Sequence, residues 1–293
     1  MFKLVLQYLC YCLVGLFITS CTPSQDQSPL PTHIKIGLLP DRESIHLIDI
    51  HRPLFDHIAS KLGVTYELII PDGYSKLVEL FGAKKIDLAF LGGISFISAH
   101  KQYGAVPLVM RNIDKHFVSY LIVRKERNST TLDSLEDQHL AFGSKLSTSG
   151  HIMPRYFFSK MNLIPENFFS DISYSGAHHK TLEYVIEKKA DAGVINGAFY
   201  QMQTQRYPHY QEELSILWRS PPYPNYVWAV QASSAEEFKQ KLREVFLSLT
   251  LSSSVDRRIL NSLNIEAFYP AKVSDFTEIE KALKVLESFG DKH

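Results

Sequence analysis

Leu140-Ala141-Phe142-Gly143-Ser144-Lys145-Leu146-Ser147-Thr148-Ser149-Gly150 decides how this chain reads. A short apolar run ends in glycine, a turn rich in hydroxyls follows, and His151 to Leu163 reads as a helix. A strand, a hydroxyl turn and a helix N-terminus together make an anion site. The first helical N–H groups lack partners, the dipole is positive there, and serine and threonine add short donors. Taken alone, the turn is more often an ordinary N-cap, for which one serine suffices.

Outward from this turn the chain alternates strand and helix. Upstream, His33–Leu39, Tyr66–Ile70, Ile86–Leu91 and Ala105–Met110 read as strands, with helical spacing through Leu54–Leu62, Tyr74–Phe81 and from Ile94. The pattern restarts at Val118–Arg124 and continues with strands at Ile172–Ser175, Ala192–Ile195, Leu214–Trp218 and Tyr226–Gln231. Helices are expected over Thr181–Lys188, Ala198–Thr204, Ala235–Leu249 and Asp275–Phe289. The fold class is therefore α/β, with mainly parallel sheets and a ligand cleft between two lobes. Ligands in such folds meet the loops at the carboxyl ends of strands. Gly92-Gly93, the S-T-S-G turn and Gly176-Ala177-His178 are three such loops.

The N-terminus carries an address. Lys3 precedes a mostly apolar stretch from Leu4 to Ile18, and Ile18-Thr19-Ser20-Cys21 is similar to a lipobox. The stretch is short for a membrane span, which needs about 20 residues. Residues 1–20 are expected to be a lipoprotein signal peptide, with Cys21 the lipidated residue. Residues 21–32 then form a flexible tether. Cleavage removes two of the three cysteines, so the mature domain has no disulfide and rests on its core.

Charge excludes one class of partner. The chain has 31 basic and 31 acidic residues, without the basic excess of a nucleic-acid binder. Twelve histidines include no H-x-H pair, so no metal is expected. No H-E-x-x-H or G-x-S-x-G motif is present and every cysteine is N-terminal, so no catalytic residue and no cofactor are expected.

Four segments carry a resemblance: Ile86-Asp-Leu-Ala-Phe-Leu-Gly-Gly-Ile-Ser-Phe96; Leu140–Gly150 with Pro154-Arg155; Ser175-Gly-Ala-His178 with Lys189-Ala-Asp-Ala-Gly193; and Ser220-Pro-Pro-Tyr-Pro224. In order and spacing the chain resembles the periplasmic phosphonate- and phosphite-binding proteins of ABC importers, which have the type II periplasmic-binding-protein fold. The resemblance spans about residues 33–290. It implies a first lobe of residues 33–116 plus 228–293 and a second of 117–227 containing the crossover hinges. It further implies that Ser147, Thr148 and Ser149 cradle the oxyanion, that Tyr74 donates from the first lobe, and that His178 donates from the second. Gly93, Ser95 and Ser119 complete the expected ligand-binding set.

The departures from that family concern selectivity. Phe117-Val118-Ser119 stands where the family often has Tyr-x-Ser, Asn225-Tyr226 where it often has an aspartate, and Ala198 where some members place a glutamate for an amino group. The resemblance therefore implies a retained anion cradle with altered selecting groups, and no aminoalkylphosphonate. The expected partners are a phosphonate, phosphite, phosphate or related oxyanion, an ABC permease and ATPase, and a bacterial membrane through Cys21. The protein is expected to be a monomer. A second reading is a ligand-sensing lipoprotein of the same fold that reports to a membrane kinase or cyclase.

Overall fold

The computed structural model of the chain describes residues 30–288. The signal segment, Cys21 and the tether as far as residue 29 lie outside the described residues, as do residues 289–293. In chain order the elements are β1 (His33–Leu38), α1 (Ser44–Leu62), β2 (Thr65–Ile69), α2 (Tyr74–Gly82), β3 (Leu88–Leu91), α3 (Gly93–Tyr103) and β4 (Val106–Arg111). Next come β5 (Ser119–Arg124), β6 (His139–Phe142), α4 (Met153–Lys160), α5 (Pro165–Phe168), β7 (Asp171–Tyr174), α6 (His178–Ile186), β8 (Ala192–Asn196), α7 (Gly197–Arg206), α8 (His209–Glu213) and β9 (Leu214–Arg219). The chain closes with β10 (Val227–Val230), α9 (Glu236–Leu247), α10 (Ser254–Ser262), β11 (Phe268–Pro270) and α11 (Thr277–Ser288).

These strands make two sheets, one per lobe, in the orders β11-β4-β10-β3-β1-β2 and β7-β6-β8-β5-β9. The sheets are built alike. Each has three parallel strands, β2-β1-β3 or β7-β6-β8. Beside the third lies a strand that has just crossed from the other lobe and runs antiparallel: β10 in the first sheet, β5 in the second. The sheets are thus mixed, rather than mainly parallel as the alternation predicts. Every residue of β5 and β10 is buried, which is why Tyr-Leu-Ile-Val and Val-Trp-Ala-Val are continuous apolar runs.

The crossovers meet each other. Phe117 and Tyr223 exchange backbone hydrogen bonds of 2.8 and 2.9 Å, so the outgoing and returning strands form a two-stranded strap between the lobes. Each lobe has its own core. In the second, Leu121, Val123, Leu140, Phe142, Phe158 and Val194 are enclosed. In the first, Trp228 packs edge-on against Phe55 at 5.8 Å and tilts against Phe90 at 4.8 Å. From Pro31 onward the chain is one compact unit.

Candidate functional site

Five strands run out towards the same region: β1 into Leu39-Pro40-Asp41-Arg42, β3 into Gly92-Gly93, β6 into the hydroxyl turn, β7 into Ser175-Gly176-Ala177, and β8 into the cap of α7. The hydroxyl turn differs from the expected cap. Residues Thr148–Ile152 form a π-helical turn, closed by Ile152 N–H donating to the Ser147 carbonyl at 3.0 Å, and α4 begins only at Met153 and ends at Lys160. The wider turn is a feature often found at functional sites. Its glycine has a steric cause. A Cβ on Gly150 would lie 2.9 Å from Ser147 Oγ and 3.1 Å from the His178 ring. No other residue fits without opening the turn.

Hydrogen bonds fix the direction in which the turn's hydroxyls point. Ser147 Oγ accepts from Gly150 N–H at 2.9 Å, and Thr148 Oγ1 accepts from Ile94 N–H of the facing lobe at 3.0 Å. Each oxygen accepts one hydrogen bond there and keeps its own O–H as a donor. His178 is fully enclosed, and burial lowers its pKa to about 4, with Arg42 and His179 acting the same way against Asp41. The ring is neutral near pH 7. Its Nδ1 accepts from Asn196 N–H at 3.4 Å, which places the ring proton on Nε2, 3.4 Å from Ser149 Oγ. His178 is therefore a neutral donor facing the turn.

The first lobe contributes its own groups. Gly93 and Ser95 lie in the first turn of α3, where Gly93 N–H donates to Asn225 Oδ1 at 3.2 Å. Ser95 Oγ and Asn225 Nδ2 are buried with no hydrogen-bond partner. Tyr74 opens α2, and its Oη is likewise buried without a partner of good geometry. Burial pushes the Tyr74 pKa well above the ordinary phenol value and the Asp41 charge adds to this, while nearby Ser147 and Arg42 pull it down. Tyr74 thus faces Ser147 from the other lobe. A side chain on Gly92 would press on this space, since its Cβ would lie 3.4 Å from Thr148 Oγ1.

Ser119 stands differently. Its hydroxyl donates to the Ser149 carbonyl at 2.7 Å and shares a short hydrogen bond with Tyr223 Oη. It holds the turn in place instead of offering a free donor. Tyr223, from the returning crossover, supplies there a hydroxyl that Phe117 lacks. Arg155, quoted with the turn, pairs with Glu166 and lies 5.8 Å over the Phe142 ring.

Sequence reasoning missed Asp41 and Arg42. Asp41 Oδ1 accepts from Arg42 Nε at 2.9 Å, and Oδ2 accepts from Arg42 Nη2 at 3.3 Å and from Tyr226 Oη at 2.6 Å. Burial alone would raise the Asp41 pKa, but the Arg42 charge and hydrogen bonds, joined by Tyr226, hold it at about 2. Arg42 reaches the second lobe, 5.2 Å over the Phe199 ring and 3.8 Å from Met202 Sδ. Asp41 also accepts, through its carbonyl, from His178 N–H at 2.9 Å. Behind Tyr226 lie Phe90, stacked at 5.1 Å, and the Arg111 guanidinium, held by Asp114 in two hydrogen bonds of 2.7 and 2.8 Å. The signal was positional: Asp41-Arg42 directly follows a strand at its ligand-facing end.

Hydroxyls, a neutral imidazole and the start of α3 thus come together where the two lobes face each other. The family model described as "ABC transporter, phosphonate, periplasmic substrate-binding protein" matches residues 36–276. The chain belongs to this family. It is 30% identical over 264 residues to the protein named "Probable ABC transporter phosphite binding protein PhnD1" from Prochlorococcus marinus, covering 86% of this chain and 89% of that one. The solved structure of PhnD1 in complex with methylphosphonate superposes with a TM-score of 0.83 at 26% identity, covering 88% of this chain and 99% of that chain. A binding component of a Pseudomonas aeruginosa phosphonate transporter shares the fold, with a TM-score of 0.78 at 20% identity and 85% of each chain covered. The family's work is substrate capture for an ABC transporter of phosphonates, and its fold is the two-lobed one seen here. These relatives are binding proteins, not enzymes.

Proposed function

We propose that the cleft captures a small tetrahedral oxyanion, a phosphonate, phosphite or phosphate, and that Tyr74, Ser95, Ser147, Thr148, Ser149, His178 and Asn225 donate to it. One observation carries the reading. Tyr74 Oη, Ser95 Oγ and Asn225 Nδ2 are buried polar atoms without partners, on three separate segments around the same hydroxyl turn. Unpaired buried donors cost about 1–3 kcal/mol each, and a ligand that accepts from all three recovers that cost. An oxyanion beside helix N-termini does so, with each bond strengthened by charge. Relatives named for phosphite, and solved with methylphosphonate, support that class.

In the same reading the captured ligand passes to a membrane permease with its ATPase, and Cys21 anchors the protein in the bacterial envelope. Ala198 offers no carboxylate to an ammonium, which disfavours aminoalkylphosphonates. A thermal-shift screen over phosphate, phosphite, methylphosphonate, arsenate and sulfate tests the ligand class, because a bound ligand raises Tm by mass action. At least one phosphorus oxyanion should raise Tm. Thr148→Ala should then weaken its binding by about 1–3 kcal/mol. No shift with any of the five, or full affinity in Thr148→Ala, would defeat the reading.

A further inference from the structure

We propose that Tyr223 is a positioning residue for ligand capture: its phenol heads a one-way chain of hydrogen bonds that runs through Ser119 and the Ser149–Gly150 peptide and ends on the Ser147 hydroxyl of the cradle. This rests on the oxyanion reading above and adds to it a layer of residues behind the cradle. It also gives a task to Ser220-Pro221-Pro222-Tyr223-Pro224, a motif that the cradle itself leaves unused.

The direction of the chain follows from its atoms. A serine hydroxyl has a single proton to give, and a carbonyl oxygen can only accept. Ser119 gives its proton to the Ser149 carbonyl at 2.7 Å. In the short contact between Ser119 Oγ and Tyr223 Oη the phenol is therefore the donor. Burial holds the Tyr223 pKa well above the ordinary phenol value, against the Ser119 and Ser149 hydroxyls that lower it, so the phenol proton is present near pH 7. The Ser149 carbonyl shares one peptide plane with Gly150 N–H. That N–H donates to Ser147 Oγ at 2.9 Å. Ser147 keeps its own O–H, and Tyr74 faces it from the other lobe. Every bond points the same way, so each polarises the next.

The returning crossover also fixes Ser119 itself. Ser119 N–H donates to Ser220 Oγ at 2.9 Å, and the Ser119 carbonyl accepts from Ser220 N–H at 3.0 Å. Further along, Tyr223 and Phe117 exchange their backbone hydrogen bonds. At the far end of the chain, Gly143 N–H donates to the Gly150 carbonyl at 2.8 Å, which steadies the next peptide. Ser119, Ser149, Ser220 and Tyr223 are all buried, so bulk water does not replace a lost link. The strap that joins the lobes is thereby tied to the turn that holds the ligand.

Two variants separate this role from packing. Tyr223→Phe keeps the ring against Phe117 and Phe157 and removes only the head of the chain. Ser119→Ala cuts the chain in the middle. In nitrogen-correlated NMR spectra without ligand, the Gly150 amide proton should move upfield in Tyr223→Phe and further in Ser119→Ala, as its hydrogen bond weakens. In titration calorimetry with methylphosphonate, phosphite and phosphate, Tyr223→Phe should bind about three- to tenfold more weakly than wild type. Ser119→Ala should lose at least as much, and the double variant no more than Ser119→Ala, since links of one chain do not add. An unmoved Gly150 resonance, full affinity in Tyr223→Phe, or a double variant that loses the product of both singles would overturn the proposal. Should Ser119→Ala fail to fold, the resonance and affinity of Tyr223→Phe decide alone. A wild type that binds none of the three ligands overturns the oxyanion reading instead, and the Gly150 resonance still decides whether the chain exists.

Discussion

Two of the contacts between the lobes work by opposite physics. At the hydroxyl turn the contact is neutral: Ile94 N–H to Thr148 Oγ1, with Tyr74 facing Ser147. At the β1–α1 loop it is ionic: the Asp41–Arg42 pair, largely buried, lies against Phe199, Met202 and the start of α6. The neutral contact leaves donors unsatisfied, which suits a place a ligand must enter. The ionic contact satisfies its own charges, so it can close the lobes without adding net charge to the cleft. An oxyanion in the proposed cradle would then meet N–H dipoles and hydroxyls instead of a bare cation.

The sharpest way to break this comparison is to remove one ion. Asp41→Ala leaves Arg42 buried without its counter-charge and Tyr226 without its acceptor. Losing one partner of a buried pair costs about 3–5 kcal/mol. Urea denaturation should show that loss, and Asp41→Ala/Arg42→Met should recover much of it, since removing both charges removes the desolvation penalty too. A single variant as stable as wild type would mean that the pair does not hold the loop against the second lobe.

Acid separates the same two regions by pH. Burial holds His178 at about 4 and His51 at about 3, both below an unfolded value of about 6.5. Between those limits the unfolded chain binds more protons, so stability is full above about pH 6.5 and falls as pH drops towards the folded values. Asp41 behaves otherwise. Burial opposes its ionisation but Arg42 prevails, and its folded pKa of about 2 lies below an unfolded value of about 3.9. Its contribution is intact above about pH 4 and is lost as pH falls through about 2. Denaturation midpoints should therefore decline between about pH 6.5 and pH 4 in wild type and less in His178→Gln. An identical decline in both proteins would remove His178 from this account.

What was legible in the sequence follows the same division. Buried runs such as Leu88–Leu91 and Ser119–Arg124 announce themselves by composition, and they fix both sheets. Three-residue β11, with Tyr269 and Pro270 exposed, has no run to read, and α10 buries only Ile259 and Leu260 along its length. In the site, Ser147, Thr148, Ser149 and His178 are marked by glycine-bearing turns after strands. Asp41-Arg42 is not, because an adjacent acid and base on a loop reads as a solvated pair. Its burial depends on Phe199 and Met202 of the other lobe. Tyr226 was legible only as a missing aspartate. The structure places a carboxylate against it after all, from 185 residues away. Side-chain identity at one position does not show which distant group will face it.

Tyr74→Phe has the smallest expected effect and the most specific sign. In the unliganded protein Tyr74 Oη is buried without a partner of good geometry, so removing it should leave stability unchanged or slightly raised. With an oxyanion bound, the same hydroxyl becomes one donor among several. Its loss should weaken binding by about 1 kcal/mol, less than Thr148→Ala, whose hydroxyl also ties Ile94 N–H across the cleft. Stability without ligand and affinity with ligand, measured on one preparation, should therefore part company: Tm unchanged or slightly raised, Kd raised. A variant that loses stability while keeping its affinity would show that Tyr74 serves the closed fold, with Ser147 as its partner, and that the neutral contact is as self-satisfied as the ionic one.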